Sequence, residues 1–338
     1  MKNKLKVGIV GAPRGQSFIR SFQAIEETDV IAICDLNIDV VEGVASQFNI
    51  DQKYTEFEEM VQSDLDIVVV STPMPLHAPQ STLALQEGKH VISEVPAATD
   101  LQQCWELAKS VENSKKKYMM AENCVYTKPN ILIRELAMQG LFGDIYFGEG
   151  QYIHELKSLN EITKWRRKWQ TGRNGCTYST HSLGPVLQWF EDRVCTVSCF
   201  GSGHHYEDSE GKQYENEDTI SMIYKTTRGG LVEIRVDMYL IGQPGGNIVV
   251  YRAQKGATKP HVVLEINPKF GWRNTPIRSP GSRYRISKNN ICPRSGEIRL
   301  WKLCKLAMEV AIILKSENLL TQLSTIPNHQ LIFMSRWT

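Results

Sequence analysis

The chain has 338 residues, too many for one ordinary hydrophobic core, and this length predicts two domains. Hydrophobic residues make up 41% of it and charged residues 22%, which excludes an intrinsically disordered protein. A net charge of +2 gives no electrostatic reason to expect nucleic acid or a membrane surface as a partner. No stretch reaches the roughly 18 apolar residues that cross a bilayer, and the eight cysteines contain no Cys-x-x-Cys pair. We therefore expect a soluble cytoplasmic protein with reduced cysteines.

Strands and helices alternate through the first third of the chain. Apolar runs predict strands at 5–11, 30–34, 65–70, 90–92 and 118–121. The stretches between them predict helices at 17–27, 39–48, 79–86 and 100–113. This alternation is typical of βαβ units, so we predict an α/β fold with a doubly wound parallel sheet of the Rossmann type. Such a sheet binds its ligand at the carboxyl ends of the strands.

A glycine turn follows the first predicted strand. Gly11 allows a sharp turn, and Gly15 allows the next helix to pack closely. The start of that helix favours a pyrophosphate, and Asp35 at the end of the second strand can accept hydrogen bonds from a ribose. The carboxylate would repel a 2′-phosphate, so NAD is expected rather than NADP. Because Pro13 stands where the second glycine of Gly-x-Gly-x-x-Gly belongs, a tight turn without a ligand is the alternative explanation.

Two segments further along carry a family resemblance. Residues 71–77, with a Thr-Pro…His pattern, and residues 88–96 resemble the glucose–fructose oxidoreductase/inositol dehydrogenase (Gfo/Idh/MocA) superfamily. The resemblance implies a second α+β domain with a mostly antiparallel sheet, which supplies the sugar site and a homo-oligomer interface. It also implies NAD as cofactor, with these binding residues: Gly11, Arg14, Gly15, Asp35, Thr72, Pro73, His77, Glu94 and Asn123.

Val95 is a departure from this superfamily. It occupies the place of the lysine that, in ordinary dehydrogenases of the superfamily, helps to polarise or deprotonate the substrate hydroxyl. Valine can do neither, so another group must act if hydride transfer occurs.

The middle of the chain narrows the resemblance. Residues 122–126, 139–143, 152–156, 165–166 and 178–185 are similar to the branch of NAD-dependent α-N-acetylgalactosaminidases, whose members also tend to carry valine in place of that lysine. Cys176, Ser179 and Ser182 depart from the Asn, Pro and Gly usual in the branch, which leaves the identity of the sugar open.

This branch resemblance implies a cleavage in which the sugar is oxidised at C3, loses its C2 proton, eliminates the glycosidic oxygen, adds water and is reduced again. Such a route needs several titratable groups. Tyr152 and His154 are two residues apart on a predicted strand and face one way, while Tyr178 and His181 are three apart near a helix start. The resemblance makes these four the catalytic candidates. It assigns the sugar contacts to Trp165 and Arg166.

Other parts of the chain carry weaker signals. The pair His204-His205 lies in a stretch of loop composition, and no metal site is expected there or elsewhere. From Arg252 onward there are 15 basic and four acidic residues, although the chain before that point is acidic. We predict loop or disorder at 267–294 and one helix at 300–323. The tail lacks the late motifs of the superfamily, so we expect either an aberrant ending, such as a shifted reading frame, or a divergent folded segment.

The predicted domains are therefore an NAD-binding domain at 1–122, a substrate domain at 123–250 and an atypical basic tail at 251–338. Three functions stay open. They are a glycosidase that uses bound NAD, an ordinary NAD-dependent dehydrogenase of a sugar or cyclitol, and a non-catalytic dinucleotide-binding protein. The expected partner is a small sugar or glycoside in each enzyme case.

Overall fold

A computed structural model describes residues 4–140, 142–169, 176–208, 210–239 and 246–253. The chain forms two compact units, one reaching Glu122 and the other starting at Asn123. The predictions for the tail, including the loop at 267–294 and the helix at 300–323, lie outside the described residues.

The first unit contains a six-stranded parallel sheet in the order β3-β2-β1-β4-β5-β6. The strands are β1 Leu5–Val10, β2 Thr28–Cys34, β3 Gln52–Tyr54, β4 Ile67–Val70, β5 His90–Ser93 and β6 Tyr118–Met120. Strand order reverses between β1 and β4, which pair directly. The predicted doubly wound parallel sheet is confirmed, and this reversal is where such sheets bind ligands.

Five helices connect these strands: α1 Ala12–Gln23, α2 Ile38–Phe48, α3 Phe57–Gln62, α4 His77–Gln86 and α5 Leu101–Ser114. The central strands are buried on both faces. Val7 and Ile9 of β1 pack into one cluster with α1 and α2, whereas Val10 packs into a second cluster with α3. Burial on both faces explains why these strands are apolar runs rather than alternating sequences.

The second unit contains a five-stranded mixed sheet in the order β11-β7-β10-β9-β8. Its strands are β7 Ile145–Ile153, β8 Val194–Gly201, β9 Thr219–Thr226, β10 Leu231–Asp237 and β11 Gly246–Ala253. Only the β7–β10 pair is parallel, and the other three pairs described are antiparallel. The prediction of a mostly antiparallel sheet in this domain is confirmed.

The described residues of the second unit form four α-helices: α6 Lys128–Met138, α7 Lys157–Ile162, α8 Arg166–Trp169 and α9 Thr180–Phe190. Helix α9 covers one face of the sheet, where Val232, Ile234 and Val236 of β10 are fully buried in one cluster with it. The opposite face carries exposed apolar side chains, which include Ile223 and Leu231. Among the described residues, the sheet of this unit therefore has one face covered by α9 and one face with exposed apolar side chains, which we call the open face.

The described helices include none that is long and apolar enough to cross a membrane. Six cysteines fall in the part of the chain that the structure describes, and no disulfide joins any two of them.

Candidate active site

The glycine turn of the first unit joins β1 to α1. Gly11 has a φ of 86°, and a Cβ built there would lie 2.5 Å from the main chain of Ser71, so no other residue fits without strain. A Cβ at Gly15 would lie 2.5 Å from the Ile9 side chain. The two glycines thus let α1 begin directly at the end of the strand, although the turn is one residue shorter than the usual fingerprint.

The carboxylate of Asp35 lies beside this turn. Its Oδ2 accepts a hydrogen bond of 3.1 Å from the amide of Ala12, and its Oδ1 accepts one of 3.1 Å from the amide of Asn37. The residue is half-buried, and a carboxylate has further lone pairs that can accept ribose hydroxyls. Asp35 therefore follows the last residue of β2, and its carboxylate lies beside the start of α1.

Arg14 and Glu94 form an ion pair across the same end of the sheet. The Nε of Arg14 donates to Glu94 Oε1 over 2.7 Å, and its Nη2 lies 2.5 Å from the same oxygen. Glu94 is buried, whereas just over half of the Arg14 side chain remains exposed. The next residue, Val95, is buried and offers no titratable group.

His77 fastens the segment that follows β4. Its Nε2 lies 2.7 Å from the carbonyl oxygen of Thr72 and its Nδ1 lies 2.8 Å from that of Pro96. Burial lowers the pKa of His77, while the two carbonyl contacts act in the opposite direction. The ring therefore holds together the loops after β4 and β5, near Thr72, Pro73 and Glu94.

These residues suit a dinucleotide. Helix α1 has 12 residues and no acidic residue in its first turn, and Gly11 at its N-terminus has no side chain to cap it, so the positive end of its dipole favours a phosphate. The Asp35 carboxylate is a suitable acceptor for a ribose diol. The predicted residues from Gly11 to Glu94 thus lie at the carboxyl ends of β1, β2, β4 and β5. Asn123 is exposed and is the first residue of the second unit.

In the second unit, glycines on β7 bring α9 close to the sheet. A Cβ at Gly148 would lie 2.4 Å from Val186, and one at Gly150 would lie 2.9 Å from the carbonyl oxygen of Ser182. Residues 148, 150 and 152 lie on the same face of the strand, because side chains alternate between the two faces. The start of α9 therefore lies close to Tyr152, because no side chain separates the helix from the strand below it.

The four catalytic candidates come together at this point. The ring of Tyr152 lies 4.6 Å from His154, 5.6 Å from Tyr178 and 4.9 Å from His181, measured between ring centroids. The Nε2 of His181 lies 3.2 Å from the phenol oxygen of Tyr178, which is hydrogen-bonding distance. His181 is buried and the other three rings are half-buried. Two imidazoles and two phenols thus form one cluster that can exchange protons.

The three departures from the branch pattern lie next to this cluster. Ser182 is fully buried, and its side chain is accommodated because β7 has a glycine, Gly150, opposite it. Ser179 lies beside the buried phenol of Tyr224, whose hydroxyl donates to Met222 Sδ over 3.0 Å. Burial raises the pKa of Cys176 to about 12, so its thiol stays protonated at neutral pH and is no nucleophile. The departures thus change packing and leave the four rings together.

Trp165 and Arg166 lie at the start of α8. The guanidinium of Arg166 stacks on the Trp165 ring, with 4.3 Å from its Cζ to the ring centroid. The neighbouring Arg167 instead pairs with Asp208 and lies 3.7 Å from Glu161, which gives it a structural role.

The loop between β8 and β9 holds the pair His204-His205 and the buried residue Asn216. His204 hydrogen-bonds through Nδ1 to the carbonyl oxygen of Asn216 over 2.8 Å, and His205 lies 2.7 Å from Asp218. Asn216 and Tyr239 are fully buried and hydrogen-bonded to one another. No local pattern marks them, since their partners lie far away in the sequence.

Comparisons with known proteins agree with this description. Residues 5–122 match the Gfo/Idh/MocA oxidoreductase family with the NAD-binding Rossmann fold. The chain is 33% identical over 266 residues to an α-N-acetylgalactosaminidase of Shewanella oneidensis and 32% identical over 266 residues to a glycosyl hydrolase family 109 protein of Shewanella pealeana. Each match covers 69% of this chain and 58% of the relative, so the chain spans little more than half of their length.

Solved structures show the same fold. The WlbA dehydrogenase from Bordetella pertussis, in complex with NADH and UDP-GlcNAcA, has a TM-score of 0.73 at 18% identity, covering 96% of this chain and 88% of that one. The apo scyllo-inositol dehydrogenase from Lactobacillus casei has a TM-score of 0.70 at 15% identity, covering 98% and 93%. At these identities the likeness concerns the fold alone. The family match and the relatives at 33% and 32% identity show that the chain belongs to the Gfo/Idh/MocA oxidoreductase family, with its NAD-binding Rossmann fold at residues 5–122.

Proposed function

We propose that this chain is a glycosidase that uses bound NAD, acting on an α-N-acetylgalactosaminide or a closely related sugar. The observation that carries the proposal is the cluster of Tyr152, His154, Tyr178 and His181. The Tyr152 ring centroid lies 4.6 to 5.6 Å from those of the other three, and the centroids of Tyr178 and His181 lie 4.9 Å apart. The names of the curated relatives support the same class of substrate.

The residues of the first unit would hold the cofactor. The start of α1 with Gly11, Arg14 and Gly15 would bind the pyrophosphate, and Asp35 would accept hydrogen bonds from the adenosine ribose. Thr72, Pro73, His77 and Glu94 would shape the nicotinamide end, with Asn123. When bound, NAD supplies reversible hydride transfer at C3 of the sugar.

The four rings of the second unit would handle the protons. A carbonyl at C3 makes the C2 proton acidic enough for a neutral imidazole or a phenolate to remove. We assign the removal of the C2 proton to the hydrogen-bonded pair Tyr178 and His181. Tyr152 and His154 would take the proton of the C3 hydroxyl and give a proton to the leaving oxygen. The elimination breaks the bond from C1 to the glycosidic oxygen, which takes up a proton, and water then adds at C1 with a proton returned to C2. Arg166, stacked on Trp165, would contact the substrate.

Val95 favours this assignment over an ordinary dehydrogenase. It is buried and apolar, so the lysine-dependent activation of a substrate hydroxyl is not available at its position. The proton chemistry then falls to the tyrosine and histidine cluster.

One assay separates the three candidate functions. Purified protein is incubated with a panel of nitrophenyl glycosides, headed by the α-N-acetylgalactosaminide, with and without added NAD. Nitrophenol release without net NADH supports the glycosidase, whereas net NADH from free sugars supports a dehydrogenase. If neither nitrophenol nor NADH is formed although the protein still binds NAD, both enzyme functions are contradicted and a dinucleotide-binding protein is left.

Two variants test the residues. Tyr178→Phe and His181→Asn each remove one partner of the hydrogen-bonded pair, and we expect nitrophenol release to fall by about 100-fold or more in each. Tyr146→Phe is the control, because Tyr146 is exposed and lies six residues before Tyr152 on β7, about 20 Å along the strand. Equal activity in all three variants would remove the cluster from the mechanism.

We further propose that two copies associate through the open face of the second sheet. Phe200, Ile223 and Leu231 lie on this face and are 69%, 45% and 41% exposed. Their strand register puts all three opposite to α9, because Ile220, Met222 and Tyr224 point into the covered core.

A further inference from the structure

We propose that Asn216 is a positioning residue for the sugar-binding segment, because its side chain holds the main chain of Arg166 in place. This inference rests on the role of Arg166 in the proposed function. Its side-chain hydrogen bonds go to Arg166 and Tyr239, neither of which is a candidate catalytic ring.

Asn216 makes two bonds to the start of α8. Its Nδ2 donates to the carbonyl oxygen of Arg166 over 2.5 Å, and its main-chain amide donates to that of Arg167 over 3.2 Å. The side chain of Asn216 is completely buried. A buried side-chain amide bonded to a main-chain carbonyl fixes that carbonyl in one place, since breaking the bond would strand a polar group away from water.

The same Nδ2 reaches Tyr239, which is also completely buried. It lies 3.2 Å from the phenol oxygen, and Nδ2 of the buried Asn160 lies 3.4 Å from that oxygen. Burial raises the pKa of Tyr239 to about 12, so the phenol stays neutral. Tyr239 also stacks on Tyr214, with centroids 5.0 Å apart, which holds its ring in one orientation.

Tyr239 connects this arrangement to the catalytic cluster. The main chain of Tyr239 forms a β-bridge with Glu155, and the amide of His154 donates to the carbonyl oxygen of Asp237 over 2.8 Å. The segment from Asp237 to Tyr239 is therefore hydrogen-bonded to the residues that end β7. Main-chain bonds fix this segment, whereas the bond that reaches the start of α8 comes from the Asn216 side chain itself. Asn216 would therefore hold the main chain of Arg166 in place even without the Tyr239 hydroxyl.

The test begins with Asn216→Leu, which keeps the branched shape and removes both side-chain hydrogen bonds. Tyr239→Phe is the matched control, since it alters the same buried network but keeps the bond to Arg166. We expect the Kd of N-acetylgalactosamine, measured by calorimetry on the NAD-loaded protein, to rise about fivefold to tenfold in Asn216→Leu and by less than about twofold in Tyr239→Phe. Turnover at saturating glycoside should change less than the KM does.

A double-mutant cycle with Arg166→Ala decides whether Asn216 acts through Arg166. If it does, Asn216→Leu adds no further loss of sugar affinity in the Arg166→Ala background. Fully additive losses, or equal losses in Asn216→Leu and Tyr239→Phe, would overturn the proposal and indicate general destabilisation.

Limited trypsin digestion of the protein without sugar gives a readout that does not depend on the enzyme's function. Release of the Arg166 carbonyl should speed cleavage after Arg166 and Arg167 in Asn216→Leu relative to Tyr239→Phe. If Asn216→Leu does not fold, Asn216→Ala takes its place in both measurements. Wild-type protein that binds no sugar would contradict the proposed function, whereas unchanged cleavage in the Asn216 variant would contradict the positioning role.

Discussion

At the scale of single residues, Asp35 should decide which dinucleotide binds. We expect Asp35→Ser to weaken NAD binding about tenfold and to improve NADP binding, because the substitution removes both the ribose acceptor and the charge that repels a 2′-phosphate. Titration of each dinucleotide by calorimetry measures the two affinities. Asp39→Ser, an exposed acidic position in the first turn of α2, is the control. NADP binding that does not improve in Asp35→Ser would contradict the assignment.

His77 should make the stability of the protein depend on pH. Because burial lowers its pKa below the usual value near 6.5, the unfolded chain binds more protons than the folded one just below that pH. The contribution of His77 to the free energy of unfolding should therefore be greatest above pH 6.5 and decrease as the pH falls toward the lowered pKa. His90 acts in the same direction, since burial also lowers its pKa.

Urea unfolding of the wild type, His77→Gln and His90→Gln between pH 7.5 and 5.5 separates the two histidines. The His77→Gln protein should lose part of the pH dependence and keep the part that belongs to His90. A pH dependence that is identical in wild type and His77→Gln would show that His77 titrates equally in both states.

At the scale of secondary-structure elements, the contact of α9 with β7 should control the catalytic cluster. A Cβ at Gly148 would lie 2.4 Å from Val186 and 2.9 Å from Phe190, so Gly148→Ala overpacks the interface and should cost about 1–3 kcal/mol of stability. Pushing α9 away from the strand also moves His181 from Tyr152, and we expect activity to fall more than the loss of folded protein explains.

The matched control is Gly43→Ala in α2, where a Cβ would meet nothing within 4 Å. This change should be neutral or stabilise the protein by up to about 1 kcal/mol, since alanine is the better helix former. Thermal unfolding and nitrophenol release, measured on both variants, test the pair. Full activity in Gly148→Ala would show that the close approach does not position His181.

Elements with strong local signals were predictable, and those defined by distant contacts were not. The buried strands β1, β2, β4 and β5 were predicted within three residues at their ends. Helix α1 was predicted to begin at 17 but begins at Ala12, because Pro13 starts the helix rather than ending the turn. The short elements β3 and α3 were missed, having three and six residues.

The same distinction holds within the candidate site. The pairs Tyr152 with His154 and Tyr178 with His181 have spacings that place their members together, and a family pattern marked them. That the two pairs meet depends on Gly148 and Gly150, whose role appears only when α9 lies on the strand. Asn216 gave no signal at all, since its partners at 166 and 239 are distant in sequence.

At the scale of the whole molecule, the open sheet face makes the oligomeric state testable. We expect Ile223→Glu and Phe200→Glu to shift a self-associated protein toward monomers, because each would bury a charge in the apolar interface. Sedimentation velocity measures the shift. Val197→Glu is the control, since Val197 is 47% exposed on the same edge strand but pairs with Tyr224 and so points to the other face. Association that survives both changes would exclude this face.

The parallel pairing of β7 with β10 has a consequence for how the protein folds. Strands β8, β9 and β10 follow one another in the sequence, and each pairs with the next. Strand β7 instead pairs with β10, where Arg235 lies 84 residues after its hydrogen-bond partner Gln151 on β7. Closing a loop of this size is slow and costs entropy before any contact offsets it. The strand that carries Tyr152 is therefore among the last parts of its sheet to be fixed, and during refolding catalytic activity should return later than the bulk of the β-structure signal.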